Sequence, residues 1–139
     1  MRRLSLLICV IIVMLCAGQA WAKKPKEFTN NFFAEVKAGK ISQAFDGLFQ
    51  GSGISESKPQ AVDMLKRQTS SGLPIYGDIL DFELLYEEAF GTSIVRLVYI
   101  LKQDKAPTIW QFYFYKPKDK WFLGHVIFND QFQLIEKMN

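Results

Sequence analysis

The spacing of apolar residues changes once along this chain, at Gly77, and that change constrains the fold more than any other feature. Before Gly77 the apolar residues recur every three to four positions, which is typical of amphipathic helices. After Gly77 they recur at every second position, in segments rich in aromatic and β-branched side chains, which is typical of strands. A helical half followed by a stranded half predicts an α+β domain.

Three helices are predicted before Gly77, at residues 25–39, 41–49 and 58–70. Ser57 is the predicted N-cap of the third helix, because a serine hydroxyl can accept a hydrogen bond from a free amide of the first turn. Pro59 is tolerated in that turn, since its missing amide proton has no partner within the helix.

Four strands are predicted after Gly77, at residues 79–88, 93–102, 108–116 and 121–129. The connections between them are too short to hold a crossover helix, so each neighbouring pair is expected to be an antiparallel hairpin. The predicted fold is therefore three N-terminal helices packed on a curved four-stranded antiparallel sheet.

Alternation along the strands separates two faces of this sheet. The face predicted to carry the helices, called the helix face below, is almost entirely apolar and holds Phe82, Leu84, Tyr86, Val95, Leu97, Tyr99, Leu101, Trp110, Phe112, Phe114, Phe122, Val126 and Phe128. The outer face is mixed and holds Asp81, Glu83, Leu85, Glu87, Arg96, Val98, Ile100, Gln111, Tyr113, Tyr115, Trp121, Leu123, His125 and Ile127. The outer face is too aromatic for plain exposure to water, so we expect a partner to cover it. A second copy of the chain is the simplest partner.

The first 22 residues have the pattern of a secretory signal peptide. Arg2 and Arg3 precede an apolar run, and Ala20-Trp21-Ala22 forms a small-x-small cleavage site before Lys23. We expect residues 23–139 to form a single exported domain, periplasmic or extracellular in a bacterium. The alternative is an uncleaved membrane anchor, because the apolar run is close to the shortest length that spans a bilayer. Contact with a membrane is expected only in that case.

Charge and cysteine content exclude several classes of function for the predicted mature chain. Both cysteines lie in the signal segment, so no disulfide or thiolate is available afterwards. Removing Arg2 and Arg3 reduces the formal net charge from +3 to about +1, which argues against a nucleic-acid partner. His125 is the only histidine, and one histidine without cysteines does not build a zinc site. No metal or cofactor is predicted.

The order of the elements, with Ala44-Phe45-Asp46 in the second helix and the aromatic segments 110–116 and 121–122, resembles the nuclear transport factor 2-like (NTF2-like, cystatin-like) superfamily over residues 26–132. The resemblance implies a cone-shaped cavity between helices and sheet. It also implies a range of functions, because the superfamily includes small isomerases and dehydratases, dimeric binding modules and periplasmic domains of secretion systems. Fold by itself therefore selects none of them.

Members that catalyse proton transfer place Asp, His or Tyr inside the cone, since abstraction of a proton needs a base within hydrogen-bond reach. Here the predicted interior holds Tyr86 and Tyr99, with Glu88 near its rim, while Asp46 and Asp63 fit the polar sides of their helices equally well. No carboxylate and histidine come together by spacing, so catalysis is not predicted. The candidate pocket for a small apolar ligand is lined by Tyr86, Tyr99, Trp110 and Phe112, which can equally be ordinary core residues.

Five polar residues form a candidate patch for recognition or dimerisation on the outer face: Glu87, Arg96, Gln111, Tyr113 and His125. Symmetric hairpins would place His125 opposite Gln111, and Glu87 opposite Arg96 in an ion pair. The patch either recognises a ligand or supplies cross-strand contacts at a dimer interface.

The sequence thus predicts a noncatalytic binding or interaction module that dimerises through its sheet and binds a small apolar ligand in the cone. Two alternatives stay open at this stage. One is a membrane-anchored periplasmic component of an envelope or secretion assembly, and the other is a small isomerase-like or dehydratase-like enzyme.

Overall fold

A computed structural model describes residues 22–138 of the chain. The predicted signal segment lies outside these residues except for Ala22, and so do Cys9 and Cys16, so cleavage and export stay predictions. The helices found between residues 22 and 138 all fall short of the length and apolarity that crossing a lipid bilayer needs.

Helices precede strands, as the change of period at Gly77 predicts. The helices are α1 (Pro25–Lys37), α2 (Ile41–Leu48), α3 (Ile54–Ser57) and α4 (Pro59–Gly72), followed by a 3-10 helix, η1 (Leu73–Tyr76). The strands are β1 (Ile79–Phe90), β2 (Ile94–Gln103), β3 (Thr108–Tyr115) and β4 (Phe122–Asn129), and a second 3-10 helix, η2 (Phe132–Met138), ends the described chain. The α+β prediction is confirmed.

The start of α4 differs from the prediction. Ser57 is not its N-cap, because it is the last residue of the short helix α3, and its hydroxyl donates to the carbonyl of Gly53 at 2.7 Å. An N-cap needs non-helical backbone angles, and Lys58 supplies them at φ −136° and ψ 53°. Pro59 lies in the first turn, as predicted.

The strands follow one another across the sheet in the order β1-β2-β3-β4, and every neighbouring pair is antiparallel. The predicted hairpins are therefore confirmed. Three β-bulges interrupt the ladders, at Leu80 and Leu85 in β1 and at Gly124 in β4, and the last two affect the predicted faces. A bulge adds one residue to a strand, so every side chain beyond it points to the opposite face.

These two bulges make part of the face assignment wrong. Tyr86 lies opposite Val98 on the outer face, and Glu87 lies opposite Leu97 on the helix face. The same exchange occurs in β4. Phe122 pairs with Tyr115, and its ring reaches round the edge of the sheet to Gly51 in the loop after α2, whereas Leu123 is buried opposite Phe114 in the core. Strict alternation predicted the opposite face for Tyr86, Glu87 and Leu123, because it has no means of counting an extra residue.

Aromatic rings from α1 and α2 fill the concave side of the sheet. Phe32 lies 5.3 Å from Trp110 and 5.1 Å from Phe45 between ring centroids, and Phe33 lies 5.6 Å from Phe112. All five side chains are fully buried. The interior that the NTF2-like resemblance implies to be a cone-shaped cavity is occupied here by the protein's own core.

Candidate functional site

The residues predicted to line a ligand pocket are divided between two places. Tyr99, Trp110 and Phe112 lie in the packed core, and the Trp110 ring stacks on Phe128 at 4.4 Å. Tyr86 lies on the outer face because of the bulge at Leu85. A ligand contact by these four residues stays a prediction, and the aromatic packing of the interior does not favour it.

Two sets of polar side chains in the interior are hydrogen-bonded. The hydroxyls of Tyr99 and Thr29 share a hydrogen bond of 2.7 Å. The indole nitrogen of Trp110 donates to the Thr108 hydroxyl at 3.1 Å, which in turn donates to Gln103 Oε1 at 3.3 Å. Gln103 Nε2 continues the second set by donating to the carbonyl of Leu73 at 2.8 Å. Both sets thereby connect parts of the fold that are distant in sequence, so their role is structural.

Because of Tyr99, we expect the free energy of unfolding to depend on pH in the alkaline range. Burial raises the pKa of its phenol above the usual 10.0, and this outweighs the opposing effects of Thr29 and Lys26. Above pH 10 the unfolded chain therefore loses a proton that the folded chain retains, and the free energy of unfolding falls as pH rises. We expect urea unfolding to show a steeper loss between pH 8 and pH 11 for the wild type than for Tyr99→Phe. Equal slopes for the two proteins would contradict this assignment.

The predicted ion pair between Glu87 and Arg96 is wrong. Arg96 lies opposite Glu88, with Nη2 2.6 Å from Oε2, and Glu87 pairs with Lys26 of α1 on the other side of the sheet. The extra residue at Leu85 is the cause. Arg96 is thus part of a cross-strand pair as predicted, but with the neighbouring glutamate.

Four side chains form a polar row straight across the outer face. Glu88, Arg96, Tyr113 and His125 are successive cross-strand partners on β1, β2, β3 and β4. His125 therefore lies opposite Tyr113, with ring centroids 6.2 Å apart, and not opposite Gln111 as a symmetric hairpin predicts. Gln111 pairs with Ile127 in the next row. Three members of the predicted patch thus share one row, while Gln111 is adjacent and Glu87 is on the helix face.

An apolar row lies beside the polar row at the end of the sheet. It consists of Phe90, Ile94, Tyr115 and Phe122, again successive partners on the four strands. Phe90, Ile94 and Tyr115 are 52%, 40% and 50% exposed. Sequence reasoning missed this row, because it placed Phe90 in a turn and Phe122 in the core. Gly91 is the sequence signal that could have revealed this row, because a glycine favours a tight turn directly after Phe90. In the structure its φ is 62°.

Other chemistry suggested by the sequence is not assembled in the part of the chain that the structure describes. Asp46 and Asp63 are exposed, and Asp46 pairs with Lys66 at 2.7 Å. Within residues 22–138, no three side chains of His, Cys, Asp or Glu come close enough together to hold a metal ion.

Comparison with known proteins gives a likeness in fold. No protein-family model matches the chain, and no curated protein matches it. A solved structure from Campylobacter jejuni, described as an NTF2-like transpeptidase, superposes with a TM-score of 0.56 at 12% sequence identity. The superposition covers 73% of this chain and 97% of the other. Sequence identity this low shows a shared fold and gives no information about activity.

Proposed function

We propose that this chain, a domain with the NTF2-like fold, is an exported, noncatalytic interaction module whose outer sheet face binds a second copy of itself. The observation that carries the proposal is the apolar row. Three exposed apolar side chains of this row, Phe90, Ile94 and Tyr115, lie side by side on β1, β2 and β3 and form a patch of the kind found at protein interfaces.

The filled interior supports a noncatalytic role. A substrate needs a concave site with a reactive group in it. Here the corresponding space holds Phe32, Phe33 and Phe45, and the interior hydroxyls of Thr29 and Tyr99 are bonded to each other. We therefore expect any binding by this domain to occur at its surface.

A second copy fits the outer face better than an unrelated partner because the rows are self-complementary. A two-fold axis parallel to the strands would place each row on the same row of the other copy in reversed strand order. Ile94 would then face Tyr115, and Glu88 would face His125. Apolar side chains meet one another in this arrangement, and an acid meets an imidazole, so no like charges are brought together.

The charges on this face are also neutralised within each copy. Arg96 is held by Glu88, and Lys102 is held by Glu83 at 2.8 Å near the far end of the sheet. Two such faces can approach without exposing an uncompensated positive side chain, which lowers the electrostatic cost of stacking identical surfaces.

Exchanging Ile94 for lysine tests the proposal. Sedimentation equilibrium of the exported protein is expected to show a dimer for the wild type, and Ile94→Lys should weaken dimerisation by about 100-fold by burying a charge in the apolar row. The matched control is Ile75→Lys, because Ile75 is 70% exposed in η1 and lies outside the sheet. It should dimerise like the wild type.

Three results would contradict the proposal. They are a monomeric wild type at the highest soluble concentration, an Ile94→Lys variant that dimerises normally, and equal weakening by both substitutions. Native mass spectrometry of the same sample measures the start of the chain. A mass beginning at Lys23 supports export with cleavage, and retention of Met1 contradicts cleavage.

A further inference from the structure

A groove of about 440 Å³, here called the corner groove, lies where four helical segments meet the start of β1. It is bounded by the end of α1, the start of α2, the end of α4, and η1. Its apolar lining consists of Val36, Ile41, Leu73, Pro74 and Ile79. This volume falls within the range of small-molecule sites, about 300–1,000 Å³.

The corner groove is built on fixed parts of the fold. Val36 and Leu73 belong to the main hydrophobic core, and Ile41 and Ile79 pack against that core. Walls of this kind hold their positions without a ligand, so binding does not require the site to be ordered first.

One polar side chain in the lining has no partner. Thr69 of α4 is 0% exposed, and its hydroxyl oxygen makes no hydrogen bond. Thr29 and Thr108, the other fully buried threonines of the described chain, both have bonded hydroxyls. A buried hydroxyl without a partner destabilises the folded protein, and most buried polar groups avoid that state.

We infer that the corner groove binds a small uncharged amphiphile, a molecule with an apolar ring or short chain and one hydroxyl or carbonyl group that pairs with Thr69. Threonine in a helix populates two side-chain rotamers, so a ligand can select the one that presents the hydroxyl to the groove. Lys37 and Asp78, at the rim, carry opposite charges. A ligand with a net charge is therefore attracted by one and repelled by the other.

This site is separate from the outer face and does not depend on dimerisation. Its residues come from the helices, the loops that follow α1 and η1, and the first residue of β1, whereas the apolar row lies at the other end of β1, at Phe90. A dimer formed through the outer face leaves the corner groove open.

The pair 1-naphthol and naphthalene tests the inference, since they differ by one hydroxyl. Titrations of the ¹⁵N-labelled protein should shift the amide resonances of Thr69, Gly77 and Asp78, with 1-naphthol binding about tenfold more tightly than naphthalene. Thr69→Val keeps the shape of the side chain and removes its hydroxyl. It should abolish the preference for 1-naphthol and raise the melting temperature, because the unpaired group is gone.

Thr29→Val is the matched control, because it removes a buried hydroxyl that has a partner. It should lower the melting temperature and leave the preference for 1-naphthol unchanged. The inference is overturned if 1-naphthol shifts no corner-groove resonances, if the two probes bind wild type equally, or if Thr69→Val retains the preference. A preference lost equally in both variants also overturns it.

Discussion

Replacing Phe33 with alanine is expected to lower the free energy of unfolding by about 3–5 kcal/mol. The ring is fully buried and lies against five other aromatic rings, with Phe82 stacked on it at 4.9 Å between centroids. Its loss removes apolar burial and leaves a cavity that neighbours on a rigid sheet cannot collapse to fill. Urea unfolding followed by tryptophan fluorescence measures the change.

The control for this substitution is Phe132→Ala, since Phe132 at the start of η2 is 46% exposed and lies outside the hydrophobic core. It should change stability by no more than about 0.5 kcal/mol. A loss below about 1 kcal/mol for Phe33→Ala would mean that the interior is not packed as described. The variant would also have an apolar cavity where the wild type has a ring, and such cavities accept small apolar guests.

Gly77→Ala is expected to lower the free energy of unfolding by about 2–4 kcal/mol. Gly77 joins η1 to β1 at φ 86° and ψ −166°, a backbone conformation that is essentially restricted to glycine. A β-carbon at this position would lie 1.6 Å from Oδ1 of Asp104. That oxygen accepts a hydrogen bond from the amide of Asp78 at 2.8 Å, so the carboxylate cannot move aside without losing it.

Gly47→Ala is the control for the backbone effect. Gly47 lies within α2, and a β-carbon there would meet no atom within 4 Å. Alanine should therefore stabilise the protein by about 0.5–1 kcal/mol, through better helix propensity. Thermal and urea unfolding of both variants should change stability in opposite directions. A Gly77→Ala protein as stable as the wild type would rule out a structural need for glycine at the junction.

The sequence predicts the helices and strands of this fold well, because the spacing of apolar residues that distinguishes a helix from a strand is a local pattern. The strands differ from their predicted bounds by at most two residues, and the change from helix to strand falls next to Gly77. The resemblance to the NTF2-like superfamily is confirmed at the level of fold. The formation of such helices and hairpins depends on residues that are close in sequence, and these can be read from one sequence.

The candidate site is predicted less well because it depends on register. Arg96 and Tyr113 are on the predicted face, but the partner of Arg96 and the position of Tyr86 depend on one extra residue in β1. Nothing in the apolar pattern marks Leu85 as that residue. Thr69 was missed for a related reason. An unpaired hydroxyl is a property of the packed surroundings, and the sequence shows only a threonine on a helix.

Because of the bulge at Leu85, two adjacent glutamates form ion pairs on opposite sides of the sheet. Glu87 holds α1 through Lys26, and Glu88 holds β2 through Arg96. If Leu85 were paired with β2 as an ordinary strand residue, the directions of the two glutamates would be exchanged and both attachments would be broken, although no residue would have changed. The attachment of α1 and the attachment of β2 therefore both depend on one residue that pairs with nothing across the sheet, and the register of β1 matters as much as its charges.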